Sequence, residues 1–285
     1  MKNLSDLKLR IKAVKDTLQI TKAMDTVSSA KMRKAMAVLK DNQNYFDRIQ
    51  ECIQDMVNYT ASNDNKYLNP TKQGKSAYIV ISSDKGLCGS YNNKVLKFAN
   101  ERLKEEKMNQ DTVIFAVGLM TKDYFENLNY NVSSDFIFLS SIASHRDSIK
   151  MADKIELLYS SEQLSSVKLI FTQASETGQY KPQIINVLPI IKQNNIVSMQ
   201  DEEYFKELQF EPSIEVVMQQ LVKQYLIGIF FGALAHCSVC EHTSRRISMK
   251  TASDNAEKVL VSMIDKSNQI RQEQITEDIA TNERN

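Results

Sequence analysis

The chain has 285 residues, with 42% hydrophobic and 25% charged residues and a formal net charge of +1, which excludes a disordered or collagen-like polymer and leaves room for one large or two modest cores. Its balance is uneven: of 36 basic and 35 acidic residues, residues 1–40 hold 10 and 3, leaving 26 and 32 for the remainder. Seven Gly and four Pro favour long uninterrupted helices, and four scattered Cys read as free thiols in a reducing compartment.

From Leu4 the apolar positions fall at Leu4, Leu7, Ile11, Val14 and Leu18, the three-four spacing of a coiled-coil seam. The register blurs from Thr21 to Ser29, then resumes at Met32, Ala35, Leu39, Phe46, Ile49, Ile53 and Met56. No Gly or Pro precedes Pro70, so the pattern predicts one helix of about 55 residues, roughly 80 Å long, which needs a packing partner. Asn63–Lys75 reads as a connection. The period then changes: strands are expected at Ser76–Ser82, Thr112–Gly118 and Ser166–Ala174, helices at Tyr91–Lys107 and Asp147–Ser161, and a strand returned by a hairpin at Gln183–Ile190. Alternating strands and helices predict an α/β unit with a mostly parallel sheet. Beyond Pro212 the helical period returns, and Met249, Ser253, Ala256, Leu260, Met263, Ser267 and Ile270 repeat the three-four spacing in a second helix of about 65 residues. The expected fold is α/β: an antiparallel coiled coil of the two terminal helices (1–62 and 212–285) with a Rossmann-like α/β domain (63–211) inserted between them. Met1 is followed by a polar helical pattern instead of an apolar leader, and the longest apolar run, Leu226–Ala235, falls short of the roughly 20 residues of a bilayer span. The expectation is a soluble chain.

Four features invite chemistry. In "VISSDKGLCGSYNN" (Val80–Asn93) a strand, a glycine-containing turn and a helix are arranged as in phosphate-binding loops. Yet neither GxGxxG nor GxxxxGK[ST] fits, and a nucleophilic Cys88 would need a histidine base that no motif around His145, His236 or His242 supplies. Gly86, Cys88 and Gly89 are therefore read as a structural turn. "HCSVCEH" (His236–His242) suggests zinc, but four ligands on one regular helix cannot close a tetrahedron; Cys237 and Cys240 suit a helix seam better. The basic face of Lys8, Arg10, Lys12, Lys15, Lys22, Lys31, Arg33 and Lys34 allows a solvated surface, a nucleic-acid site or a cationic stripe against acidic protein. No aromatic occurs before Tyr45, which weakens the nucleic-acid reading. Gly228 and Gly232 form a GxxxG that permits close helix approach. No catalytic residue, metal ligand or cofactor site is expected.

Four stretches then carry a family likeness. "RIKAVKDTLQITKAMDTVSSAKMRKA" (Arg10–Ala35) closely resembles the N-terminal helix of the gamma subunits of F-type ATP synthases, with its R-I-x-[SA]-V-x-[ND]-T-x-x-I-T-K-A-M core. "SSDKGLCG" (Ser82–Gly89) resembles the same family's [ST]-[ST]-D-[RK]-G-L-C-G-G signature. "EHTSRRISMKTASDNA" (Glu241–Ala256) and "NQIRQEQITEDI" (Asn268–Ile279) resemble its C-terminal blocks. The resemblance implies a rotor shaft of two wound helices inside a ring of three alpha and three beta subunits, and a globular domain lacking a catalytic site that sits with the epsilon subunit on the c-subunit ring. It implies proton-driven ATP synthesis or hydrolysis by the complex, no cofactor and no nucleic acid, and a peripheral place on the cytoplasmic side of a bacterial inner membrane. It also implies that Lys22, Met24, Lys31 and Arg33 face beta subunits and that Arg271, Gln272 and Thr276 meet a beta-subunit loop. Four departures stand out: Arg246 replaces the family's Met, Ser90 replaces the last Gly of the signature, the "HCSVC" run is atypical, and the tip "ITEDIATNERN" is short and polar.

Overall fold

The computed structural model describes residues 4–59, 66–69, 74–105, 112–137, 143–175, 180–191, 211 and 213–282. The described elements are α1 (Leu4–Tyr59), β1 (Lys75–Ile81), α2 (Tyr91–Glu105), β2 (Thr112–Val117), α3 (Leu119–Glu126), β3 (Val132–Ser133), α4 (His145–Ser160), β4 (Leu164–Ala174), β5 (Tyr180–Leu188) and α5 (Ile214–Asn282). They fall into two compact units. One comprises Met1–Ala30, Leu87–Gly89 and His242–Asn285; the other comprises Lys31–Gly86 and Ser90–Glu241.

The larger unit is built on a five-stranded sheet of order β3-β2-β1-β4-β5. β1 pairs in parallel with β2 and β4, β2 in parallel with β3, and β5 runs antiparallel along β4. Both faces of β1 are covered, so its near-continuous apolar sequence divides by alternation. Tyr78 and Val80 join Val95, Leu96, Ala99 and Leu103 of α2 on one face. Ala77, Ile79 and Ile81 join Met151 and Ile155 of α4 and Met218, Leu226 and Phe230 of α5 on the other. Phe230 is fully buried, worth about 1.5–3 kcal/mol for its side chain alone. The C-terminal half of α1 joins the same core through Val38, Leu39, Ile49 and Ile53.

This core explains one difference from the sequence reading. By length and composition α5 contains an 18-residue window apolar enough to cross a bilayer, although no unbroken apolar run suffices; 78% of that window is buried. Its hydrophobicity is that of a helix covered by sheet and helices in its own unit.

In the smaller unit α1 and α5 pair antiparallel. Leu4, Leu7, Ile11, Val14 and Leu18 are half-buried while the residues between them are exposed. Met249, Ser253, Ala256, Leu260, Met263, Ser267 and Ile270 form the matching stripe on α5. Here the structure corrects the expectation that the register blurs after Leu18. The stripe continues without a skip through Thr21, Asp25 and Ser28, which are buried or half-buried. The period persists; only the chemistry of its positions changes.

Two small elements were absent from the sequence reading. β3 is two residues long, too short to carry an alternation. α3 begins after Gly118 without a side-chain cap of its own, and the Leu119 amide instead donates to Asp84 Oδ1 at 3.1 Å, from 35 positions away. α4 begins two residues before its expected start because the Ser144 hydroxyl caps it, accepting from the Asp147 amide at 3.2 Å. Within the expected connection Asn63–Lys75, Tyr67 is buried and stacks on Tyr159 with centroids 6.1 Å apart.

Gly118 adopts φ 92°, and a Cβ there would lie 2.5 Å from the Ser82 carbonyl oxygen. Gly118→Ala is expected to cost about 2–3 kcal/mol in urea unfolding, since neither the left-handed backbone nor a backbone neighbour yields cheaply. A loss within experimental error would show that the β2–α3 turn relaxes around a methyl group.

Candidate functional site

The paired helices present two kinds of surface. Their shared stripe is occupied, and the rest of their circumference is open. Lys8, Arg10, Lys12, Lys15, Lys22, Arg33 and Lys34 are exposed, whereas Met24 and Lys31 are half-buried. Lys22 is already engaged within the chain: its Nζ lies 2.5 Å from Glu257 Oε1 of α5, both side chains remaining about half exposed. An exposed pair of this kind contributes at most about 1 kcal/mol, so it holds Lys22 in place without removing it from the surface. Apolar side chains also point outward: Leu9 is 64% exposed, Ile20 60%, Val261 60% and Ile279 56%. The burial stripe on α5 ends at Ile270, and Arg271 to Thr276 are all exposed. Arg271, Gln272 and Thr276 therefore lie on a length of α5 beyond the pairing, where the Thr276 hydroxyl donates to the Gln272 carbonyl at 2.9 Å.

The glycine-flanked turn resolves into two sets of contacts. In the larger unit the Ser83 amide and hydroxyl both donate to Asn92 Oδ1, at 3.1 and 2.9 Å, and the hydroxyl lies 2.8 Å from the Lys85 carbonyl. Asn92 thus ties the start of the turn to the first turn of α2. The Ser82 and Thr121 hydroxyls bond at 2.6 Å, and Asp84 caps α3 as described. A fold of this kind binds phosphate by offering backbone amides at a helix N-terminus; here a carboxylate of the chain itself takes that place at α3. In the smaller unit Leu87–Gly89 lies against α5. Cys88 is buried, its carbonyl accepts from the Ser244 hydroxyl at 2.6 Å, and Leu87 is 64% exposed at φ 62°. Gly89 adopts φ 57°, and a Cβ would meet Ser248 Oγ at 2.8 Å and Ser244 Oγ at 3.3 Å. Gly86 has open space around it. The sequence singled out Gly86, Cys88 and Gly89, and the structure gives close-approach work to the last two. Ser244 and Ser248, their partners 150 residues downstream in order of magnitude, were missed, because nothing in sequence spacing joins α5 to this turn.

The thiols of "HCSVC" serve packing against β4. The Thr172 amide donates to Cys237 Sγ at 3.4 Å, and the Cys240 thiol points at the Thr172 carbonyl at 3.6 Å. Burial pushes Cys237 from 9.0 up to about 12 and raises Cys240 further, so both stay protonated. His236 accepts from the Ala174 amide at 3.4 Å, and burial lowers its pKa. His145 meets Phe231 edge-on instead of approaching a thiol. Among the described residues, no three His, Cys, Asp or Glu side chains converge as metal ligands.

Two outcomes follow for the thiols. A native-state thiol titration at neutral pH is expected to count Cys52 alone, and denaturation to release all four cysteines. Because the folded chain keeps a proton on Cys237 that the unfolded chain releases above pH 9, its contribution to stability is complete below pH 9.0 and disappears as pH climbs to about 12. Over that window stability should fall by up to about 1.4 kcal/mol per pH unit from this group, and Cys237→Ala should flatten the slope between unfolding curves at about pH 8 and about pH 10.

Comparisons of the sequence and of the fold with known proteins agree on one family. A family model described as ATP synthase matches residues 3–281. The ATP synthase gamma chain of Alkaliphilus metalliredigens is 33% identical over 278 residues, covering 97% of this chain and 95% of its own length. That of Acetivibrio thermocellus is 30% identical, covering 98% and 96%. Among solved structures, the central stalk of the Tetrahymena thermophila mitochondrial ATP synthase superposes with a TM-score of 0.63 at 19% identity, over 82% of this chain and 99% of that one. The rotor of the Euglena gracilis mitochondrial enzyme does so at 0.59 and 15% identity, over 95% and 98%. At these identities the structural likeness is one of fold.

Proposed function

The chain belongs to the ATP synthase gamma-chain family, as a central-stalk subunit of an F-type ATP synthase, and from that premise we propose that it is a non-catalytic rotor driven by proton flow. Its partners are three alpha and three beta subunits around the paired helices, and the epsilon subunit and c-subunit ring. It sits on the cytoplasmic side of the cell inner membrane, held there through the complex. The single observation that carries this reading is the outward surface of the paired helices. Leu9, Ile20, Val27, Val261 and Ile279 remain exposed on helices whose shared stripe is already filled, and apolar surface interleaved with exposed lysines and arginines suits an enclosing protein sheath.

The physical requirement is differential contact. Three equivalent catalytic sites can be driven into different states only by a surface that touches each differently. Two helices of unequal sequence provide that asymmetry: α1 is basic over its first part, up to Lys40, while α5 mixes charges and extends beyond the pairing. Each charge crossing about 100 mV supplies about 2.3 kcal/mol, so several crossings must be accumulated for one ATP, and the shaft has to hold torque meanwhile. A wound pair resists twisting better than one helix.

Lys22, Met24, Lys31 and Arg33 are assigned to contacts with beta subunits on α1, and Arg271, Gln272 and Thr276 to a beta-subunit loop on the unpaired length of α5. The turn of Gly86, Cys88 and Gly89 is assigned a structural role, supported by the Ser244 bond. Lys31→Glu with Arg33→Glu is expected to lower ATP hydrolysis by the reconstituted complex at least about tenfold, the equivalent of about 1.4 kcal/mol. Co-purification with alpha and beta subunits should persist. Wild-type turnover would remove these two residues from the contact, and failure of the unmodified chain to assemble with alpha and beta subunits would remove the rotor reading itself.

A further inference from the structure

Thr21, Asp25 and Ser28 take three consecutive positions of the α1 stripe, where an unspecialised coiled coil would place Leu or Ile. The facing helix answers the first two, and the Ser28 hydroxyl donates to the Met24 carbonyl of its own helix at 2.7 Å. The Ser253 hydroxyl donates to Thr21 Oγ1 at 2.8 Å, and the Thr21 hydroxyl donates in turn to the Leu18 carbonyl at 3.1 Å, so both buried side chains are satisfied. Asp25 Oδ1 is buried, and no hydrogen bond reaches it among the described residues; Arg246 Nε stands 4.0 Å away. Lys22 and Glu257 close the flank. The positive charge that marks Arg246 on α5 thus has a negative counterpart in the seam of α1.

We propose that this polar cluster fixes the register at which the two helices pair. An apolar heptad seam tolerates sliding, because displacing one helix by seven residues, about 10 Å, sets apolar positions against apolar positions again. The polar positions do not tolerate it. A slip of seven residues brings either Leu260 or Arg246 to the place of Ser253, which takes the donor away from Thr21 Oγ1 or sets a guanidinium against it. In either case Asp25 loses Arg246 while its carboxylate stays in the seam. A carboxylate with one oxygen buried is costly to leave without its partner, whereas the matched, partly exposed pair adds little net stability over an apolar one, so the cluster acts against wrong alignments more than in favour of the right one. The alignment decides where pairing ends on α5, and hence that Arg271 and the residues after it extend beyond the stripe. The inference concerns how this chain folds and stands independently of the rotor role.

The test is disulfide trapping in the full-length chain carrying Cys52→Ser. Val14→Cys with Leu260→Cys reports the native alignment, since each lies one heptad from the Thr21–Ser253 bond, and Val14→Cys with Ser267→Cys reports an alignment slipped by one heptad. In the otherwise unaltered chain the first pair should cross-link on mild oxidation and the second should not. Adding Thr21→Leu, Asp25→Leu and Ser253→Leu should raise the slipped yield about tenfold or more. A slipped pair that stays silent in the folded triple variant would overturn the proposal, as would cross-linking of both pairs in the unaltered chain. Should the triple variant not fold, charge exchange decides: Asp25→Arg or Arg246→Asp alone should lower the native yield, and the two together should restore it. No recovery in the exchanged chain overturns the proposal as well.

Discussion

The stripe along which α1 and α5 meet in the smaller unit is the contact on which the rest of that unit depends. Apart from the start of this length of α5, where Ser244 is buried against Cys88, each helix buries one line of side chains, so residues such as Leu7 or Leu260 are covered on one side only. Stability there comes from many half-covered positions added along a length, in contrast to the larger unit, where Ile79 or Phe230 is enclosed completely. A surface built this way leaves most of its circumference free, and that freedom is what a shaft turning inside other subunits requires.

The larger unit shows how a turn laid out like a phosphate loop is fastened by side chains of the same chain. Its central parallel strands and the turn after β1 have the layout of a phosphate site, and side chains around that turn are engaged within the chain. Asp84 accepts the Leu119 amide at the start of α3, and Asn92 accepts the Ser83 amide. The fold supplies a rigid frame, and function is carried by the side chains placed on it. The same holds in the smaller unit, where Ser244 anchors the carbonyl of Cys88 and turns the glycine-flanked cysteine into a fastening for α5.

How much of this was legible depended on whether the signal was local. The three-four spacing of Leu4 to Leu18 and of Met249 to Ile270 specified both helices and the faces they bury, because the period of apolar residues is itself the geometry of the helix. The strands at Thr112–Val117 and Leu164–Ala174 were readable within two residues for the same reason. α3 was not, since its cap is Asp84 and no local residue announces its start. The apparent break after Leu18 was misread because hydrophobicity was taken as the marker of burial; Thr21, Asp25 and Ser28 keep the period while abandoning the chemistry.

By itself, then, the sequence determined the class of fold, the two long helices, the outward basic face of α1 and the family to which the motifs point, all of which follow from patterns repeated over neighbouring residues. Tertiary structure alone decided which distant groups meet: Ser253 with Thr21, Arg246 with Asp25, Ser244 with Cys88, and the thiols of Cys237 and Cys240 with Thr172. Those pairings join residues 65 to 232 positions apart. Whether a polar side chain between two helices is a defect or a device depends on what faces it, and that is fixed only when the chain has folded.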